Sequence, residues 1–207
     1  MSPRAFNKIK AGLDDALAMN TTEPRLIALY SPAPGSGKST VAEHLESRGF
    51  QTVKFAGPLK DMVRVLLFDH CGIDHATTER YVDGDLKEEV IPEIGVTSRR
   101  IQQSLGTEWG RDLIREDLWV HLTRQTVARH LSAGRSVVID DMRFQNEWMM
   151  VRDLRGQVIR IDRPSLSAPE YGHRSEGGLN NVPMTLVTND GTVDDLRLAV
   201  DRVLGYA

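Results

Sequence analysis

The sequence predicts an α/β fold, a five-stranded and mostly parallel sheet with helices on both faces. Three observations lead there. Runs of strand length at Leu26–Tyr30, Thr52–Phe55, Ser136–Asp141, Gln157–Ile161 and Thr185–Thr188 alternate with helical segments. The first of them is apolar at every position, the pattern of a parallel strand covered on both sides. A length of 207 residues, with 40% hydrophobic and 27% charged, suits one domain with a sizeable core.

Residues 1–24 are expected to form an N-terminal helical extension, since Phe6, Ile9, Leu13 and Leu17 make one apolar stripe opposite Lys8, Lys10 and Asp14. The stripe covers either the core or a twin subunit. Glu23-Pro24 breaks that helix, and residues 25–207 form the main domain. A helix follows the first strand from Lys38 to Arg48, and another starts near Pro58, where proline suits the first turn. Residues 70–97, crowded with Asp, Gly, Glu and Pro, are read as a partly helical insertion. Thr97 or Ser98 caps a helix carrying Arg99, Arg100, Gln103 and Leu105, which Gly106 ends. A longer helix is expected from Asp112 to Ser132, stopped by Gly134, and a further one from Phe144 to Leu154. Residues 163–183, rich in Pro, Ser, Gly and charge, suggest a loop or small lid. Thr192 caps the last helix, with Asp195 completing a capping box.

Several classes are excluded or disfavoured. No stretch reaches the roughly 18 apolar residues of a membrane helix, and the N-terminus lacks a signal-peptide run, so a cytoplasmic location is expected. Cys71 stands alone, ruling out an internal disulfide and a cysteine zinc site. His44, His70, His75, His121 and His130 show no ligand spacing. A net charge of -3 offers a nucleic acid no global attraction, though a local basic patch would.

Chemistry concentrates where the first strand turns into the first helix. Ser31-Pro32-Ala33-Pro34-Gly35-Ser36-Gly37-Lys38-Ser39-Thr40 puts glycines, a lysine and hydroxyls at a helix N-terminus, where backbone N–H groups cradle phosphate. Gly35 and Gly37 let the chain wrap close to the oxygens, Lys38 supplies a cation, and Ser39 would ligate Mg²⁺. Pro32 stands where the usual phosphate-loop pattern has glycine, which stiffens the start of the loop. The strand ending in Asp140-Asp141 brings carboxylates to the same end of the sheet: Asp141 suits magnesium or its water, whereas Asp140 suits a helix cap. Arg143 would reach an acceptor phosphate.

A phosphotransferase, unlike a nucleotide switch, needs a second cationic cluster for its acceptor. Lys60, Arg99, Arg100, Arg143, Arg160, Arg163 and Arg174 are the candidates. Arg99 and Arg100 point about 100° apart on a helix, so one faces the ligand and the other a carboxylate. Gln103 would read a base edge, and His173 would anchor the lid by hydrogen bonding.

The ordered set Phe55-Ala56-Gly57-Pro58-Leu59-Lys60, Arg99-Arg100-x-x-Gln103-x-x-Gly106-Thr107, Val138-Ile139-Asp140-Asp141-x-Arg143-x-x-x-Glu147, His173-x-x-Glu176 and Thr188-Asn189-Asp190-Gly191-Thr192, behind the phosphate loop, resembles the bacteriophage deoxynucleoside monophosphate kinase family. The resemblance spans about residues 26–204. It implies a P-loop kinase fold with a helical acceptor lobe around Lys60 to Gln103, including the 70–97 insertion, and a lid around Arg163 to Glu176. It implies a soluble enzyme, in the host cytoplasm if phage-encoded, that uses ATP and Mg²⁺ to convert a deoxynucleoside monophosphate to its diphosphate. Lys38, Asp141 and Arg143 would be catalytic, Gly35 to Thr40 with Asn189 and Gly191 would hold the donor, and Lys60, Arg99, Arg100, Gln103, Arg143, His173 and Glu176 the acceptor. Two alternatives stand beside it: a kinase of a hydroxymethylated base within DNA, and a nucleotide-dependent binding module without an acceptor.

Overall fold

A computed structural model describes residues 23–166, 179 and 182–207. The expected N-terminal helix, and most of the 163–183 segment with His173, Arg174 and Glu176, lie outside the described residues. The chain order is β1 (Leu26–Tyr30), α1 (Lys38–Ser47), β2 (Gln51–Thr52), α2 (Gly57–Val65) running on as a π-helical turn (Leu66–His70), and α3 (His75–Val82). Next come β3 (Val90–Ile91), β4 (Val96–Thr97), α4 (Ser98–Ser104) with a π-helical continuation (Leu105–Ile114), and α5 (Leu118–Ser132). The chain closes with β5 (Val137–Ile139), α6 (Gln145–Asp153), β6 (Gln157–Asp162), β7 (Thr185–Thr188) and α7 (Val193–Leu204).

The five long-range strands form one sheet in the order β2-β5-β1-β6-β7, every pair parallel. β1 is buried at all five positions and its side chains divide by alternation. Leu26, Ala28 and Tyr30 enter one core with Val127, Met150 and Val151, under α5 and α6. Ile27 and Leu29 enter a second with Val41, Leu45, Leu196 and Val200, under α1 and α7. A third, smaller core of Val63, Leu67, Tyr81, Val82 and Ile91 holds α2, α3 and the β3–β4 hairpin together. Its α2 is tied to the carboxyl end of β5 through Asp141, which accepts the Phe55 and Ala56 amides, near where the order of strands reverses and open α/β sheets bind ligands.

Four elements depart from the sequence reading. The 70–97 insertion contains α3 as expected but also the antiparallel β3–β4 hairpin. Gly106 does not end its helix; the chain widens there into a π-helical turn that stops only at Arg115, whose φ of -168° is extended. The following helix therefore begins at Leu118 rather than Asp112. β2 is confined to Gln51 and Thr52, with Val53 N–H adding one further bond to the Val138 carbonyl at 2.9 Å. The caps match: Thr97 accepts from Arg100 N–H, Thr192 and Asp195 form the capping box, and Gly134 closes α5 at φ +73°.

Candidate active site

The register of the sheet assembles the site. Ala28 lies opposite Ile139, so Asp140-Asp141, just past β5, run beside Leu29-Tyr30 at the end of β1, where the phosphate loop begins. Beyond β1 the loop turns through Gly35 (φ +75°) and Gly37 (φ +105°), conformations that L side chains rarely adopt. α1 then starts with no side-chain cap and no acidic residue in its first turn, whereas α3, α4 and α7 close their N-termini with Asp74, Thr97 and Thr192. The open N–H groups and dipole of α1 thus favour an anion. Asn189, at the end of β7, braces the loop by donating from Nδ2 to the Ser36 carbonyl at 2.8 Å. Arg163 donates to the Gly35 carbonyl at 3.2 Å.

Two cavities meet here. The smaller, about 140 Å³, is lined by Ser31, Pro32, Pro34, Lys38, Asp140, Asp141 and Arg143. The larger, about 270 Å³, takes in Lys60, Lys87, Arg99, Gln103, Arg111 and Arg143 with an apolar wall of Phe55, Leu59, Trp119 and Phe144. Asp141 and Arg143 belong to both.

The wall between the cavities is the β5–α6 connection, and buried carboxylates fix it. Asp141 accepts Phe55 N–H at 2.9 Å on one oxygen and Ala56 N–H at 3.0 Å on the other, tying the connection to the start of α2. Burial pushes its carboxyl above the usual range against the pull of those two amides. Glu147, 2% exposed, accepts Arg143 N–H at 2.6 Å and Phe144 N–H at 3.0 Å, and meets Arg111 at 3.2 Å. Burial raises it to about 7. Arg111 also lies over the Phe144 ring at 4.2 Å.

Asp140 is placed differently from Asp141. Its Oδ2 is 3.3 Å from Lys54 Nζ, while its Oδ1 is buried without a hydrogen-bond partner among the described residues. The Ser36 hydroxyl is likewise buried and unpartnered. Burial and the nearby Arg143 lower the Lys38 ammonium from its ordinary value, opposed by Asp140 and Asp141.

Of the candidates named from sequence, Lys38, Lys60, Arg99, Gln103, Asp141 and Arg143 line one or both cavities. Ser39 and Thr40 lie in the first turn of α1, Ser39 exposed. Arg100 is exposed and lines neither cavity. It is Arg99 that both lines the larger cavity and pairs with a carboxylate, Glu88. Lys60 pairs with Asp83. Gly191 packs against Asp195 of the last helix's capping box. The sequence reading left out Lys87, Arg111, Trp119 and Phe144, which carry no local signal, and a site role for Glu147, whose motif position was visible but whose hydrogen bonds were not. Among the described residues no group of His, Cys, Asp or Glu forms a ready metal cluster, and no helix is long and apolar enough to cross a membrane.

The deoxynucleotide monophosphate kinase family matches residues 73–200. A protein of Acanthamoeba polyphaga mimivirus named "Putative deoxynucleotide monophosphate kinase" is 28% identical over 177 residues, 78% of this chain and 86% of that one. The deoxynucleoside-5'-monophosphate kinase of Escherichia phage T5 is 33% identical over 67 residues, 32% of this chain and 26% of that protein. Among solved structures, TT1252 from Thermus thermophilus aligns with a TM-score of 0.48 at 18% identity, covering 89% of this chain and 98% of that one. Dephospho-CoA kinase from Campylobacter jejuni aligns at 0.38 and 15%, covering 89% and 97%.

Proposed function

Because the chain belongs to the deoxynucleotide monophosphate kinase family, we propose that it transfers a phosphoryl group from ATP to a deoxynucleoside monophosphate, with the smaller cavity holding the donor phosphates and the larger one the acceptor. The observation that carries the reading is the meeting of the two cavities at Asp141 and Arg143. A switch needs one anion site; this cleft has a glycine-turned cradle on one side and a cation-lined, aromatic-walled pocket on the other.

The roles follow from chemistry. Amides of residues 35–39 and the Lys38 ammonium hold the donor phosphates, and Asn189 keeps the loop wound. Arg143, common to both cavities, stands where the group in transit carries its charge. Phe144 and Arg111 offer a flat wall for a base, and Gln103 a polar edge. No strong base is needed, since transfer to a phosphate oxygen depends on positioning and electrostatics.

The residues fit Mg²⁺. The buried, unclaimed Oδ1 of Asp140 and the hydroxyl of Ser39 are the oxygen donors beside the loop. Both Asp141 oxygens already accept amides, so we place Asp140 rather than Asp141 at the metal and keep Asp141 as the brace of α2. When bound, the ion neutralises phosphate charge.

The test is ADP release from ATP-Mg²⁺ with dAMP, dCMP, dGMP, dTMP and a hydroxymethylated monophosphate in turn. At least one should stimulate ADP formation manyfold over ATP alone. No stimulation by any of them overturns the assignment.

A further inference from the structure

The larger cavity holds a cation that the sequence motifs did not single out. Lys87 lies between α3 and β3, half-buried, and lines the cavity with Lys60, Arg99 and Arg143. Its backbone is pinned on both sides: Leu86 N–H donates to the Arg80 carbonyl at 3.1 Å, and the Lys87 carbonyl accepts Arg99 N–H at 3.0 Å. The side chain therefore projects from a fixed base, the condition for a preorganised contact.

Its neighbours are accounted for. Lys60 sits on Asp83, which Arg64 also holds, and Arg99 sits on Glu88. Among the described residues the Lys87 ammonium and the Arg143 guanidinium have no hydrogen-bond or ion-pair partner. A lysine that merely packs its stem sends its charge to open water. Lys87 instead faces a cavity it shares with Lys60, Arg99, Arg111 and Arg143, where burial and the positive charge of Lys60, Arg99 and Arg143 press its ammonium below the ordinary value against the pull of Asp83. Converging like charges in a partly desolvated pocket are unfavourable until an anion joins them.

We propose that Lys87 is the acceptor-binding lysine of the larger cavity, gripping the monophosphate dianion from the insertion side while Arg143 grips it from the donor side. This rests on the acceptor reading of that cavity. It makes the 70–97 insertion a contributor to the site rather than an appendage. It also divides the five cations of the cavity, with Lys60, Arg99 and Arg111 keeping carboxylate counter-ions and Lys87 and Arg143 left for the ligand.

The experiment is calorimetric binding of dAMP, dCMP, dGMP and dTMP, and of their four deoxynucleosides, to the full chain and to Lys87→Met and Lys87→Arg. Methionine keeps the stem and removes the charge. The Kd of the tightest monophosphate should rise about 10- to 100-fold in Lys87→Met, the range for a lost hydrogen bond between charged groups. The matching deoxynucleoside, lacking phosphate, should change by less than about twofold, and arginine should restore most of the loss. Equal weakening of nucleotide and nucleoside would assign Lys87 to packing and overturn the proposal. Undiminished monophosphate binding in Lys87→Met would overturn it alone, leaving the acceptor pocket intact. Failure of the unsubstituted chain to bind any monophosphate would overturn the acceptor reading and this inference with it.

Discussion

Substituting the two glycines of the phosphate loop separates backbone strain from packing. Both have positive φ, so alanine at either pays the left-handed penalty of about 1–2 kcal/mol. What a new Cβ would meet differs. At Gly35 the nearest atom is Leu166 Cδ1 at 3.8 Å, an ordinary contact. At Gly37 it would lie 2.8 Å from Asn189 Nδ2 and 2.8 Å from Leu196 Cδ2. Leu196 is 3% exposed within the core beneath α7, and crowding such a site costs about 1–3 kcal/mol. Displacing Asn189 breaks its bond to the Ser36 carbonyl, worth about 1 kcal/mol. We therefore expect Gly35→Ala to cost about 1–2 kcal/mol and Gly37→Ala about 4 kcal/mol.

For a chain of this length each kcal/mol lowers Tm by about 2–4 °C, so thermal melts should place Gly35→Ala about 5 °C and Gly37→Ala about 10–15 °C below the unsubstituted protein. Asn189→Ala removes one of the two clashing atoms. The double variant Gly37→Ala, Asn189→Ala should thus lose less than the two singles together, by about 1 kcal/mol. Calorimetric ATP binding should weaken more in Gly37→Ala than in Gly35→Ala, since only the former moves the brace of the loop. Melts of the two glycine variants within about 2 °C of each other, or strict additivity in the double variant, would refute the contact argument.

Two further substitutions probe the wall between the cavities. Asp140→Asn should melt near the unsubstituted protein yet lose most of the Mg²⁺ dependence of ATP binding by calorimetry. Asp141→Asn turns one amide acceptor into a donor facing another donor, and should cost about 1–3 kcal/mol in urea unfolding. Glu147 predicts a pH signature. Its folded carboxyl is raised from 4.5 to about 7, so the folded state holds this proton more tightly than the unfolded chain does. The stability it contributes is full below pH 4.5 and is lost as pH climbs through about 7, a swing of about 3 kcal/mol at 1.36 kcal/mol per pH unit. Glu147→Gln should remove that swing, read as the difference between the two proteins in urea unfolding at pH 4.5 and pH 7.5.

The sheet was legible because its signals are local. β1 carries its burial in consecutive residues, Thr97 and Thr192 announce caps, and the loop from Ser31 to Thr40 carries its chemistry in ten adjacent positions. The hairpin at Val90–Ile91 and Val96–Thr97 was not, since two-residue strands have no period to detect. Gly106 looked like a helix breaker, yet here glycine serves close approach, as does Gly110. A Cβ on Gly110 would lie 2.5 Å from the Trp119 ring, and Trp119 Nε1 donates to the Gly106 carbonyl at 2.8 Å. That seat for the indole is a tertiary fact, invisible to a rule that reads glycine as a stop. Part of the larger cavity escaped for a related reason: Lys87 and Arg111 come from separate segments, and neither falls within a motif read from the sequence.

In the proposed function, the β5–α6 connection would align two ligands with few residues. Asp141 ties it to the start of α2, hence to the acceptor side, while Ile139, in register with Ala28, ties it to β1 and the donor loop. Glu147 then takes the Arg143 and Phe144 amides and the Arg111 guanidinium. The backbone of Arg143 is thus held on both sides while its guanidinium stays unpartnered among the described residues. The spacing between the two cavities is set by a short covalent stretch with its polar groups bonded inward. For a reaction whose barrier yields mainly to positioning and to charge placed in advance, that is where rigidity contributes most. The far wall of the larger cavity, by contrast, takes Lys87 from the insertion, outside the five-stranded sheet.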